Sequence, residues 1–328
     1  MIKRPLFSAL FTFLIFMSFA VQQGFAQEND EQNIAVEDTV QRDYSVFADK
    51  PLSADINPFW TPEETGLKKT LRYSTLIGVP LMVAIYGFEV WDWGEDDPRF
   101  YRERWFQEDT DSGGADKTGH FLAHYIVARG CYSVFSYTEQ NQNRALAYSA
   151  ITSTVVGLLI EMGDAFTGRY GFSYEDLLAN QLGVLAAVIL DRYPVADEFI
   201  AFTGHYWPTR AHKKHADNLN IPGDYSGWTY YMNFKLAGFG YIGYDIPDFM
   251  RYIQLDIGYY TRNYTNRDQR SGIDTENERQ RYWFFGASVN MREVARDLFR
   301  HNRKASWVAE QPFKYYHVPI GYTNDREI

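Results

Sequence analysis

The sequence predicts an α+β protein: an apolar four-helix region, then a small antiparallel aromatic-rich sheet and a short amphipathic helix. Three observations carry this. Between residues 61 and 191, long apolar runs are bounded by helix caps and breakers. After residue 225 the apolar period changes to two, with aromatic and β-branched residues on alternate positions. A stretch at 292–304 then returns to helical spacing and carries five Lys/Arg against two acids.

The chain opens with Lys3 and Arg4 ahead of an almost wholly apolar run from Leu6 to Val21. Gly24-Phe25-Ala26 then offers the small residues of a cleavage site before Gln27, so residues 1–26 read as a secretory signal peptide. Its removal takes away two basic and no acidic side chains, moving the formal charge from −10 to −12. The expected location is the periplasm or a membrane-associated part of the cell envelope. Residues 27–58 hold many acids from Glu28 to Asp49 and few large apolar residues, and read as a flexible acidic leader.

Order is expected from Thr61-Pro62-Glu63-Glu64, with Thr61 as N-cap and Pro62 at the first helical position. That helix is very apolar from Leu76 to Phe88, and Pro80 predicts a kink. A polar, irregular stretch over 91–115 ends in Ser112-Gly113-Gly114. A second helix follows from Asp116, the expected N-cap, to about Arg129. A third runs from about Asn143 to Met162. A fourth runs from about Glu175 to Asp191, opened by a Ser173/Asp176 capping box and stopped by Pro194. Residues 59–200 thus form the helical domain. Its uninterrupted apolar stretches of about 12 to 17 residues fall short of the ~20 that span a bilayer. A buried bundle is the first reading, and embedding in a membrane with polar groups turned inward stays open beside it.

The β-rich region, 225–328, shows strict alternation in three segments. These are Tyr230, Met232, Phe234, Leu236; then Ile253, Leu255, Ile257, Tyr259; then Trp283, Phe285, Ala287, Val289, Met291. A long polar loop over 263–280 separates the last two. Tyr231, Tyr282 and Phe284 make the opposite face aromatic in places. A transmembrane barrel, which usually starts at about eight strands, stays open only as a thin alternative with three or four counted. In the 292–304 helix, Val294, Ala295 and Leu298 are expected to cover the sheet, with a membrane-surface role as the alternative.

Composition closes other routes. An excess of 42 acids over 32 bases is the wrong sign for phosphate neutralisation, so no nucleic-acid partner is expected. The one cysteine, Cys131, has no disulfide partner within the chain and excludes a multi-cysteine metal cluster. A mean hydropathy of −0.39 argues against a chain that is mostly membrane-spanning.

The chemistry-bearing residues sit at the ends of the apolar helices. Asp116, His120 and His124 are four apart and share a helical face, as do Asp176 and Asn180. Glu161 and Asp164 close the third helix, and Arg169 lies in the turn that follows. Capping accounts for Asp116, Ser173 and Asp176, and Arg169 is a neutralising partner for Glu161 or Asp164. Lys117 in a first turn opposes the helix dipole and has no such account. His120, Glu161, Asp164 and Asn180 have none either. Because an unpaired buried charge is costly, these groups should find one another. Two uses follow: a polar network fixing helix register, or a site. In the second, His120 with Glu161, Asp164 and Asp176 supplies an imidazole and carboxylates for a divalent metal or for acid–base work.

Three blocks in order, Gly-Gly-Ala-Asp-Lys-Thr-Gly-His-Phe (113–121), Glu-Met-Gly-Asp (161–164) and Gly-Phe-Ser-Tyr-Glu-Asp-Leu-Leu-Ala-Asn-Gln-Leu-Gly (171–183), resemble the YfiM-like periplasmic proteins of unknown function. More remotely they are similar to the VanZ-like membrane proteins. The resemblance spans about residues 110–190, with weaker likeness at 224–230 and 258–262 to the sheet region of longer members. It directs attention to Asp116, Lys117, His120, Glu161, Asp164, Ser173, Asp176 and Asn180, and implies no reaction. The leading expectation is an uncharacterised, membrane-associated envelope protein with a polar network inside its helical core and a membrane or envelope component as partner. The alternative is an envelope hydrolase, metal-dependent in one version, acting on lipid or cell-wall precursors.

Overall fold

The computed structural model describes residues 52–168, 170–215, 220–264 and 278–328. The signal peptide, the leader up to residue 51, Arg169 and the loop centre at 265–277 lie outside the described residues. The far end of the expected leader is packed: Leu52 is buried against Val79, Cys131 and Phe135, and Asn57 Nδ2 donates to Ser136 Oγ at 2.9 Å.

Helix α1, Gly66–Val90, starts later than expected. Thr65 is its N-cap, accepting from Lys68 N at 3.2 Å, while Thr61 instead receives the buried Lys68 ammonium on its carbonyl. Glu64 pairs with Arg72 at 3.0 Å rather than closing a capping box. Pro80 is accommodated by a π-helical stretch, Ser74–Gly78, one turn before it. Widening the preceding turn re-routes the bond that proline cannot donate, so the helix continues.

Helix α2, Ala115–Thr138, is entered through Gly113 and Gly114, both in the left-handed region at φ 63° and 95°. A side chain at either would run into Tyr264 or Phe106. The helix runs nine residues beyond the expected Arg129 end, and only Ala123 along it is exposed. Its burial on all sides overrides the ~1 kcal/mol cost of Gly130. Helix α3, Gln142–Ala165, is capped by Asn141, and α4, Tyr174–Arg192, by Ser173. Arg72 reaches Glu139, and Arg192 reaches Asn143 at 3.0 Å, so the start of α1, end of α2, start of α3 and end of α4 meet at one basic pole. The four helices therefore run up and down, with α2 against α3, α4 and the start of α1. At Gly183 the α4 backbone comes so close to α2 that a Cβ would stand 2.1 Å from Phe121 O.

Pro194 does not only stop α4; it opens a short helix α5, Pro194–Phe199, which leads into strand β1, Ile200–Tyr206. After helix α6, Arg210–His215, come β2 Trp228–Lys235, helix α7 Ala237–Tyr241, β3 Ile253–Arg262 and β4 Gln280–Val289. Helices α8 Met291–Leu298 and α9 Arg303–Glu310 precede β5 Gly321–Glu327. The sheet is a five-stranded antiparallel meander in the order β1-β2-β3-β4-β5. Strands β1 and β5 were not expected, and β1 carries the sheet back across the anticipated 200/225 boundary. The amphipathic stretch is two helices because Asn302 caps a second start, accepting from Ala305 N at 3.0 Å. Of the residues expected to make an apolar contact, Ala295 is buried but shares the inner side with Arg292 and Glu293, and Leu298 is 74% exposed.

One end of the sheet packs on α2, where Phe202 meets Phe121 and Tyr125 edge-on and Leu122 lies against Gly204. Elsewhere its faces are inverted. The polar positions are buried and bonded to one another: Thr203 to Asn233 at 2.7 Å, and Asn233 to Asp256 at 2.7 Å. The apolar positions Met232, Phe234, Leu255, Ile257 and Phe285 are exposed. The three outer helices show the same inversion. Exposed on α1 are Tyr73, Ile77, Leu81, Ile85 and Phe88; on α3 and its cap, Ile151, Val155, Leu158, Met162 and Phe166. On α4 they are Tyr174, Leu178, Leu182, Leu185 and Ile189. All follow three- and four-residue steps, and no charged residue is exposed over 73–88, 147–166 or 174–190.

Candidate functional site

The pole opposite the basic one gathers the first turn of α2, the last of α3 and the first of α4. Asp116, expected to cap α2, does not: Gly114 occupies the cap, and the Asp116 carboxylate turns to its neighbours. Lys117 Nζ pairs with Asp116 Oδ2 at 2.8 Å, and also with Asp176 and Glu103. This explains a lysine placed against the helix dipole: three carboxylates hold it, and it is 3% exposed.

His120 lies one turn on. Its Nδ1 is 2.9 Å from Asn180 Oδ1 and 3.8 Å from Glu161 Oε1. Its Nε2 is 3.5 Å from Asp116 Oδ1 and 4.0 Å from Asp176 Oδ1. One ligand atom each from Asp116, His120 and Asp176 fall within 4.8 Å of one another.

Ser173 Oγ accepts from Asp176 N at 3.2 Å, as a capping box requires. The reciprocal bond comes from Glu161, whose Oε2 accepts from Ser173 N at 3.2 Å, because the Asp176 carboxylate is engaged by Lys117. Asp164 is drawn aside: Trp93 Nε1 donates to it at 2.8 Å. His124 sits deeper, with Nδ1 3.1 Å from Ser153 Oγ. Arg169, expected to neutralise Glu161 or Asp164, is outside the described residues.

Glu103 was missed. It lies in the irregular 91–115 stretch, where no periodicity marks it, and it is positioned by pairing between residues 99–101 and 172. Phe172 N donates to Arg99 O, and Tyr101 N to Phe172 O, both at 2.9 Å. Burial first, then the Asp116 and Asp176 carboxylates, push the Glu103 carboxyl well above the usual carboxylate range. A cleft of about 210 Å³ opens here, with Glu103 and Asp116 among its lining and Arg102, Arg104, Tyr170 and Tyr225 around them. Burial, followed by the Asp116 charge, likewise raises the Tyr225 hydroxyl well above its ordinary value. Chemically, this is a cation-holding arrangement with a histidine at its centre and access from water.

A second charged hub, also missed, joins the helices to the sheet. Asp197 accepts from Arg129 at 2.7 Å and Arg292 at 3.0 Å, and Lys235 donates to its carbonyl. Arg296 pairs with Glu198 at 2.7 Å and Glu310 at 2.6 Å. Seven residues scattered over five separate elements leave no local signal.

Residues 102–192, a little over a quarter of the chain, match a family described as predicted periplasmic lipoprotein (DUF2279). No curated protein and no solved structure matches the chain. The matched stretch begins beside Glu103, ends with α4 and contains all the cluster residues named above. Cys131, the sequence's one cysteine, is buried inside α2 and offers no acceptor for the lipid in that description. The match supports an exported, envelope-associated protein of otherwise uncharacterised function.

Proposed function

We propose that this is an integral membrane protein of the cell envelope, whose helical unit lies in the bilayer and presents a charged binding centre at one pole. The observation that carries it is the outward faces of α1, α3 and α4: large apolar side chains in helical steps with no exposed charge. An apolar patch of that extent is not left to water in a soluble monomer. Helices α1 and α3, of 25 and 24 residues, are long and apolar enough to cross a membrane. Lys69 and Arg144 at the basic pole are exposed where interfacial anchors are expected. Inside the bundle, the Lys117 and His120 groups face one another rather than lipid, as intramembrane ionisable residues do. The likeness to the YfiM-like and, remotely, VanZ-like proteins belongs to this proposal, since the latter are membrane proteins.

Washing isolated envelopes with alkaline carbonate tests it. The protein is expected to stay in the pellet and to need detergent for release. Quantitative release by carbonate refutes the membrane reading and leaves a bundle whose apolar faces are covered by protein.

A further inference from the structure

We infer that His120, Asp116 and Asp176 form a site for one divalent transition-metal ion at the inner end of the cleft. The inference rests on the charged centre just described but not on its setting in a membrane.

The orientation of His120 comes first. On the Nδ1 side stand two acceptors, Asn180 Oδ1 at 2.9 Å and Glu161 Oε1 at 3.8 Å, so Nδ1 carries the ring proton. Nε2 faces Asp116 Oδ1 at 3.5 Å and Asp176 Oδ1 at 4.0 Å, and an ion bound there would take the place of any proton on it. Three ligand atoms thus converge without a hydrogen bond between them. A metal bonded at roughly 2.0–2.2 Å to nitrogen and oxygen holds its ligands closer than this, so atoms lying within 4.8 Å of one another need a closure of up to about an ångström.

Charge agrees with geometry. Glu103, Asp116 and Asp176 share a single ammonium, Lys117, so carboxylates outnumber cations beside the ring. A divalent ion balances them. Asp176 Oδ1 and Glu161 Oε1 are both buried and lack a well-formed hydrogen bond, although Lys117 lies against the former. Asn180, itself buried, fixes the ring from behind, the usual service of a second residue to a metal-binding histidine. Three protein ligands leave a coordination position open, and Asp116 lines the cleft, so water or a ligand reaches the ion from there.

The test uses the full chain after chelator treatment, titrated with Zn²⁺ by calorimetry and with Mn²⁺ by electron paramagnetic resonance. One ion per chain is expected. H120Q, D116N and D176N should each weaken binding by at least about tenfold, and N180A by about ten- to a hundredfold. E89Q, an exposed acid on α1, should bind as the wild type does. Absence of binding, or H120Q and D176N both retaining wild-type affinity, overturns the inference and makes His120 an imidazolium in a purely structural network. The titration is indifferent to whether the protein came from the membrane or the soluble fraction, so its failure and that of the membrane reading are distinguishable.

Discussion

Lysine placed on the apolar faces separates a bilayer from water with opposite signs. Ile77, Val155 and Leu182 lie near mid-length on α1, α3 and α4, and are 64%, 38% and 46% exposed. In water, such exposed positions tolerate lysine within about 0.5 kcal/mol, and the added charge improves solubility. In a bilayer each lysine costs roughly 2.5–3.5 kcal/mol at a helix centre. Snorkelling relieves little of this at Ile77, because at ~1.5 Å per residue it stands more than ~15 Å from either end of α1. The sites are on different helices, so the triple variant I77K/V155K/L182K should lose on the order of 8 kcal/mol, enough to abolish insertion. The assay is the yield in the carbonate-resistant membrane fraction, with thermal stability in lipid nanodiscs for the single variants. L298K, at a 74% exposed position outside the helical unit, is the neutral control. A triple variant that accumulates as well as the wild type, folded and free of detergent, would refute the reasoning.

Three further perturbations test the packing and the charged centres. G183A sets a Cβ 2.1 Å from Phe121 O and should destabilise by ~1–3 kcal/mol, whereas G130A, with nothing within 4 Å, should stabilise by up to ~1 kcal/mol; thermal melts of the two should move in opposite directions. K117M leaves Glu103, Asp116 and Asp176 without their cation and should cost ~3–5 kcal/mol, a loss that added Zn²⁺ partly restores; a wild-type melting temperature without metal would contradict the pairing. Burial alone would raise the Glu198 carboxyl, but the Arg296 and Arg292 guanidiniums bring it from 4.5 down to about 2. The unfolded chain therefore binds the extra proton, and on the order of 3 kcal/mol of stability present above pH 4.5 is lost as pH falls toward 2. E198Q should remove that part of the acid dependence, read from denaturation midpoints between pH 5 and 2.5.

What was legible in the sequence is what short-range physics writes there. The α+β division, the four helices and the three central strands follow from apolar period, and Ser173 is the cap its spacing announced. Thr61 failed because a second Thr four residues later has the better geometry and Lys68 claims the Thr61 carbonyl. Strand β5, Gly-Tyr-Thr-Asn-Asp-Arg-Glu, is exposed at every position, and it pairs through its backbone with no apolar stripe to mark it. The faces misled more than the elements did. Alternation in β2 and β3 marks an apolar side, and the habit of turning that side inward assumes water outside. Here Asn233 and Asp256 are the buried partners, and Met232 and Ile257 look out.

The charged centre was legible for the same reason that its purpose was not. Asp116, Lys117, His120, Glu161, Asp176 and Asn180 stood out as polar groups at the ends of apolar helices, and the cost of burying a lone charge required them to meet. That argument fixes a meeting place but no reaction, since a register network and an ion site satisfy it equally. The distinction comes from residues no pattern flagged. Glu103 reaches Lys117 from an irregular stretch and supplies a third carboxyl to its single ammonium, so the group holds more acids than cations. Trp93 takes Asp164 away, so the acids that remain around His120 are Asp116 and Asp176 on its open nitrogen and Glu161 on the other. A network built only to set helix register would gain by neutralising that excess from within. Its persistence beside a water-accessible cleft argues that the missing charge arrives from outside.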